Sequence, residues 1–204
     1  MDLRNSILLI ILLGLCNLTK SQESNFKIVG EEKKPGYYWD KKGIKHQGNL
    51  ELQFSTVYGK GTTVRFYQNG KKQARLGNKE MESFIYGKDS FALVHNIQLN
   101  DETIYDTDFA QVLETGTINL YQHWHKKLRY YGASGPPKII LETIYLVKLK
   151  ANDFIVIQHR GNFEASFLPL IEGDEKLTKY VLGMSKTDWI DNLPSFVLEY
   201  NSRH

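Results

Sequence analysis

The chain has 204 residues, 41% of them hydrophobic and 24% charged, with a formal net charge of +3 and a single cysteine, Cys16. That near balance supplies no bulk drive toward nucleic acid or an anionic membrane, while the apolar content suffices for a buried core. Cys16 falls in the leader described next, so disulfides, thiolate nucleophiles and cysteine-held zinc are excluded from the rest of the chain.

The chain opens "MDLRNSILLIILLGLCNLTKSQES". A short segment carrying Arg4 leads into Ile7–Leu15, apolar throughout except for Gly14. Such a run rises about 14 Å as a helix, half of a ~30 Å hydrocarbon core, so it fits a signal peptide rather than a span. Thr19 and Ser21 are small residues at the −3 and −1 positions, which predicts a signal peptide over residues 1–21 and cleavage between Ser21 and Gln22. Lipid attachment at Cys16 would want a small residue before it, and Leu15 is bulky, so plain cleavage is expected. The mature chain is then exported, periplasmic or extracellular, with no integral membrane span.

Within 22–204, "FKIVG" reads as a short strand or tether. In "PGYYWDKKGIKHQGNLELQF", Tyr37 and Trp39 precede the turn "DKKG", and Leu50, Leu52 and Phe54 alternate with polar residues. Alternation with period two puts one apolar face inward, the mark of half-buried strands. Val64 and Phe66 repeat it before Asn69-Gly70, a strong hairpin signal because both turn residues tolerate positive φ. "MESFIYGKDSFALVHNIQL" holds two further strands across Gly87-Lys88-Asp89. "NDETIYDTD", Asn100 to Asp108, reads as an acidic loop.

"FAQVLETGTINLYQHW" gives a strand, a turn at Thr115-Gly116 and another strand. "ASGPPK" is a break, since neither proline can donate to a ladder. "IILETIYLVKLKANDFIVIQHR" is rich in β-branched residues and holds two strands across Ala151-Asn152-Asp153. After Arg160 the period lengthens. Asn162 is positioned to cap a helix bearing Phe163, Phe167, Leu170 and Ile171, which Pro169 limits. Asp174 can cap "EKLTKYVLG" with Gly183 as its stop, and Thr187 can cap "DWIDNLPSFVLEYN", which Pro194 should break after Asn192 into two short pieces. The expected fold is one mainly β domain: an antiparallel curled sheet, a sandwich or partial barrel, with a short helical tail (about 162–201) packed on it.

Three stretches together resemble a loose group of uncharacterised exported β-rich proteins of Bacteroidetes-type bacteria. They are the hairpin "GYYWDKKGIKHQGNLELQF", the ladder "DSFALV…DFAQVLETGTINLYQH", and a tail ending "VLEYN" with Phe163, Leu170 and Asp174 placed as in that group. The resemblance implies a periplasmic or cell-envelope location and a β-rich body with a helical end. It carries over no activity and no functional residue.

The chemistry-bearing stretch is "YQHWHKKLRYYG", Tyr121 to Gly132. On a strand, His123 and His125 leave the same face, so they are the metal-site candidates, with His95 and His159 as further donors. The plainer reading is a solvent-facing hairpin arm with Tyr121 and Trp124 on opposite faces. Lys126, Lys127, Arg129, Tyr130 and Tyr131 suit an anion or a stacked sugar; the alternative is edge protection at a hairpin tip.

Asp101, Glu102, Asp106 and Asp108 lack the glycine and final glutamate of an EF-hand loop, and Asp106 with Asp108 would be the only acid–base pairing in that run. Ser134 in "GASGPP" is followed by prolines rather than a helix, which rules out a nucleophile elbow. No catalytic residue, cofactor or metal is assigned. The expected function is a non-enzymatic binding or structural role at the cell envelope, toward a protein or other envelope component and not nucleic acid. The alternatives are a carrier of a small apolar ligand in a barrel-like pocket and, third, a metal-dependent envelope hydrolase.

Overall fold

The computed structural model describes residues 32–54, 61–99, 102–129, 138–149 and 154–204. The leader, the Ser21–Gln22 cleavage site, "FKIVG" and the "GASGPP" break lie outside these residues. Ten strands form one antiparallel sheet that is not closed. They are β1 (Lys34–Asp40), β2 (Lys45–Gln53), β3 (Thr63–Gln68), β4 (Lys71–Leu76), β5 (Met81–Tyr86), β6 (Asp89–Leu99), β7 (Glu102–Glu114), β8 (Ile118–Arg129), β9 (Lys138–Leu149) and β10 (Ile155–Ile157). Their spatial order is β10-β9-β8-β7-β6-β5-β1-β2-β3-β4. The expected antiparallel body and helical tail are both present.

Each face of this sheet has its own core. On one face Leu50, Leu52, Val64, Phe66, Phe84, Phe91 and Phe109 pack together around the curl of the first half. Phe84 stacks on Phe91 at 4.6 Å and meets Phe109 edge-on at 5.1 Å, so rings fill that interior. Val94 and Ala110, next in sequence to Leu93 and Phe109, turn to the opposite face, where they join Ile97, Leu99, Tyr105, Ile144 and Leu146. β10, four strands from β6 in the sheet, nevertheless lies against it, so the second half coils over that second face. Tight coiling of the first half rests on glycine: Gly36 and Gly48 are cross-strand partners, and a Cβ on either would collide with the carbonyl oxygen of the next strand, at Ile85 or Tyr67.

Two expectations are corrected here. Of the three consecutive aromatics "YYW", the buried one is Tyr38, while Tyr37 and Trp39 face outward and are half-buried. The acidic stretch read as a loop belongs largely to β7, the longest strand, because Tyr105 and Phe109 bury their rings and Asp108 finds partners for its carboxylate.

The tail begins with α1, a helical segment composed of Arg160–Asn162, a π-helical turn Phe163–Phe167 and Leu168–Ile171. The wide turn ends at Phe167, just ahead of Leu168 and Pro169; the proline has no N–H to give, and the Leu168 N–H reaches back to the Phe163 carbonyl. Its cap is His159, which accepts from Asn162 N, and not Asn162 as expected. Helix α2 (Glu175–Gly183) is capped by Asp174, whose carboxylate accepts from Leu177 N at 2.9 Å, and it stops at Gly183 as the sequence implies.

Helix α3 (Leu193–Asn201) starts later than a Thr187 cap would give and carries Pro194 in its first turn, where a missing N–H costs nothing. These helices are too short to stand alone. Phe163, Phe167, Trp189 and Phe196 sink into a third cluster over Ile118, Leu120 and Val147 of the sheet, each contributing on the order of 2–3 kcal/mol by burial. Asn201 locks the end of the chain down: its amide donates to the Ile118 carbonyl at 2.8 Å and accepts from the Ile118 N–H at 2.9 Å, as a neighbouring strand would.

Candidate functional site

Only one pair of titratable side chains is deeply buried among the described residues, and sequence reasoning had separated its members. Asp108 on β7 is 2% exposed and His123 on β8 is 1% exposed. His123 is directed inward by the same alternation that buries its cross-strand partner Ile144. Asp108 shares its face with Ala110.

Imidazole Nε2 lies 2.8 Å from Asp108 Oδ2. A carboxylate only accepts, so Nε2 carries the hydrogen. The other oxygen, Oδ1, accepts from the N–H of Thr62 at 2.6 Å and of Phe109 at 2.8 Å. Three donors therefore converge on one buried carboxylate. The Thr62 donor comes from the segment entering β3, five strands away from β7 in the sheet, so Asp108 fastens the curled first half onto the start of the second. Gly61 permits this approach, since a Cβ there would stand 2.6 Å from Oδ1. Asn78, in the turn after β4, ties the same seam by donating to the Thr107 carbonyl at 2.8 Å.

Catalytic use of such a pair needs the second ring nitrogen turned toward a hydroxyl, thiol or substrate. His123 Nδ1 instead is buried without a hydrogen-bond partner, and the ring meets Tyr105 edge-on at 4.9 Å. The arrangement is a fastening that leaves no imidazole nitrogen facing solvent.

The other candidates do not gather around it. His95 is exposed and contacts Thr107 Oγ1 at 3.0 Å, and His159 serves as a helix cap. The backbone of His125 pairs with Glu142, while its side chain and those of Lys126, Lys127 and Arg129 lie outside the described residues, as do Tyr130, Tyr131 and Ser134. Asp106 is exposed, whereas Asp108 is buried beside His123. The reading of a solvent-facing arm is corrected at His123 alone, whose side chain is interior. Among the described residues no group of three or more histidines, cysteines or acids could hold a metal.

Sequence reasoning missed the Asp108–His123 meeting because the two lie 15 positions apart on separate strands, and the Thr62 donor that completes the set is 46 positions from Asp108. The available signal was the partner strand "IILETIYLV", which sets Ile144 opposite His123 with Leu146 next on the same face. A second polar cluster sits on the outer face of β2 and β3. There Glu51 accepts from Tyr67 Oη at 2.6 Å and Arg65 at 3.0 Å, and the Tyr67 hydrogen bond is the main cause holding its carboxyl below the ordinary range. An open depression of about 530 Å³ near the C-terminus is lined by Gly173, Asp174, Glu175, Lys176, Arg203 and His204, but its arginine is already engaged with Asp174 and Glu199.

Among the described residues no helix is long and apolar enough to cross a membrane. No family model, curated protein or solved structure matches the chain.

Proposed function

We propose that the protein is exported and acts at the cell envelope as a non-enzymatic binding protein. The observation that carries this reading is the division of labour among its side chains. The buried Asp108–His123 pair is occupied in holding the sheet, whereas the outward face of β1 and β2 presents aromatic and basic groups. Tyr37 and Trp39 meet edge-on at 4.8 Å on that face, and the Lys45 ammonium stands 3.6 Å from the Tyr37 ring centre. The carrier alternative is less well supported, because stacked phenylalanines occupy the interior that a ligand would need.

Fractionation of the native cells, with mass determination of the purified chain, tests the reading. The expected product begins at Gln22 and is recovered outside the cytoplasm. A full-length chain recovered from the cytoplasm would overturn it.

A further inference from the structure

Five lysines that are scattered in sequence gather at one end of the sheet. The β1–β2 turn carries Lys41 and Lys42, and Lys45 opens β2. On the next hairpin, Lys71 and Lys72 follow the Asn69-Gly70 turn. β2 pairs with β3 through Asn49 and Tyr67, so the residues running from Asn49 back to the first turn lie alongside those running from Tyr67 on to the second. Both hairpin tips therefore project from the same end, and all five lysines are exposed. The acids nearest in register are Asp40 and the two that flank its partner Met81, the exposed Glu80 and Glu82, so the five lysines outnumber the acids beside them. The Asp40 carboxylate is folded back onto its own turn: its Oδ1 accepts from the N–H groups of Lys42 and Ile44, both at 2.9 Å, and its Oδ2 meets His46.

Between these lysines stands an aliphatic side chain. Ile44 is 53% exposed, the only large hydrophobic residue so exposed outside the helical tail among the described residues. The turn does not hold it there by chance. Gly43, at φ +76°, closes the loop, and the Asp40 carboxylate bonds to the Ile44 N–H, so the side chain is presented on a fixed tip. Behind it on the same hairpin are Trp39 and Tyr37, ring types that favour the boundary between water and hydrocarbon.

From this arrangement we infer that the two hairpin tips form a docking surface for an anionic lipid bilayer. Ile44 enters the headgroup boundary, Trp39 and Tyr37 lie at headgroup level, and the lysines supply the attraction. The near-neutral charge of the whole chain does not oppose this, because lysines act on a charged surface only within about 10 Å at ordinary ionic strength. An acidic polysaccharide would use the same charges but gives no reason for an isoleucine at the tip. The location assumed for the bilayer rests on the export proposed above; the binding itself does not.

The test is co-sedimentation of the purified mature chain with phosphatidylcholine vesicles and with vesicles containing phosphatidylglycerol, at low and high salt. Binding is expected only to the anionic vesicles and should weaken with salt. Lys41→Ala with Lys42→Ala should reduce it roughly 25-fold, about fivefold for each lysine near the surface. Ile44→Ser should reduce it about tenfold, as a short aliphatic group is lost from the boundary. Unchanged thermal unfolding of these turn variants confirms that the fold is intact.

Equal binding to both vesicle types, no binding, or full affinity in the lysine variant overturns the proposal. Binding to heparin without binding to vesicles overturns it in favour of the polysaccharide. A cytoplasmic location with vesicle binding intact removes only the export reading.

Discussion

Two of the aspartate–histidine contacts among the described residues are nearly equal in length and opposite in surroundings. Asp40 and His46 meet at 3.0 Å with side chains 24% and 36% exposed; Asp108 and His123 meet at 2.8 Å with side chains 3% and 1% exposed. In the first, water competes for every lone pair, and the contact helps shape a turn. In the second, the carboxylate has given up its hydration and depends on three protein donors. Distance alone therefore says little about what a contact contributes. Burial and the completeness of the partners decide it.

The largest expected effect comes from breaking the buried set on one side. Asp108→Ala leaves the Thr62 N–H and the His123 ring without their acceptor, and urea unfolding should show a loss of about 3–5 kcal/mol. Replacing both partners by leucine sharpens the point. Although it removes the same contact, the double variant should be more stable than Asp108→Ala, because no buried polar side chain is left waiting. Gly61→Ala attacks the same seam through space alone. Its methyl would stand 2.6 Å from the Asp108 oxygen, and the forced shift should cost roughly 1–3 kcal/mol.

Effects at the exposed pair are smaller and depend on pH. The His46 hydrogen bond is the first cause of an Asp40 carboxyl held below its ordinary value of 3.8, followed by the Ile44 N–H. A folded value below the unfolded one means that the contribution is present above the ordinary aspartate value and is lost as pH falls through the folded value. The difference in Tm between the parent and Asp40→Asn should therefore be present at neutral pH and close as the pH is taken below 3.8. His46→Ala should move the neutral-pH Tm by no more than about 2 °C.

Much of the fold was legible in the chain, and the reasons are local. Leu50, Leu52, Val64 and Phe66 alternate because their neighbours face water, and Asp174 and Gly183 mark a helix through its own backbone needs. The failures share a different cause. Three adjacent aromatics, Tyr37 to Trp39, carry no period of two, so only the packing of Tyr38 against Phe66 and its neighbours fixes which one turns in. Asp108 looked like a loop residue because carboxylates are rarely buried, and the donors that permit it come from distant strands. His123 and His125 were expected to share a role as neighbours on a face; the role of His123 is instead set by β7 and by the residues entering β3. Nor did the sequence order reveal that the lysines of two separate hairpins converge, since that follows from strand register.

Double-mutant cycles run in parallel on the two acid–imidazole contacts ask most directly whether the interior pair builds the protein. Chemical denaturation of single and paired alanine variants at Asp108 and His123 should yield a coupling of about 2 kcal/mol or more, against a coupling at Asp40 and His46 too small to resolve. Couplings of equal size at the two places, or none at the buried one, would contradict the assignment of Asp108 and His123 to the architecture.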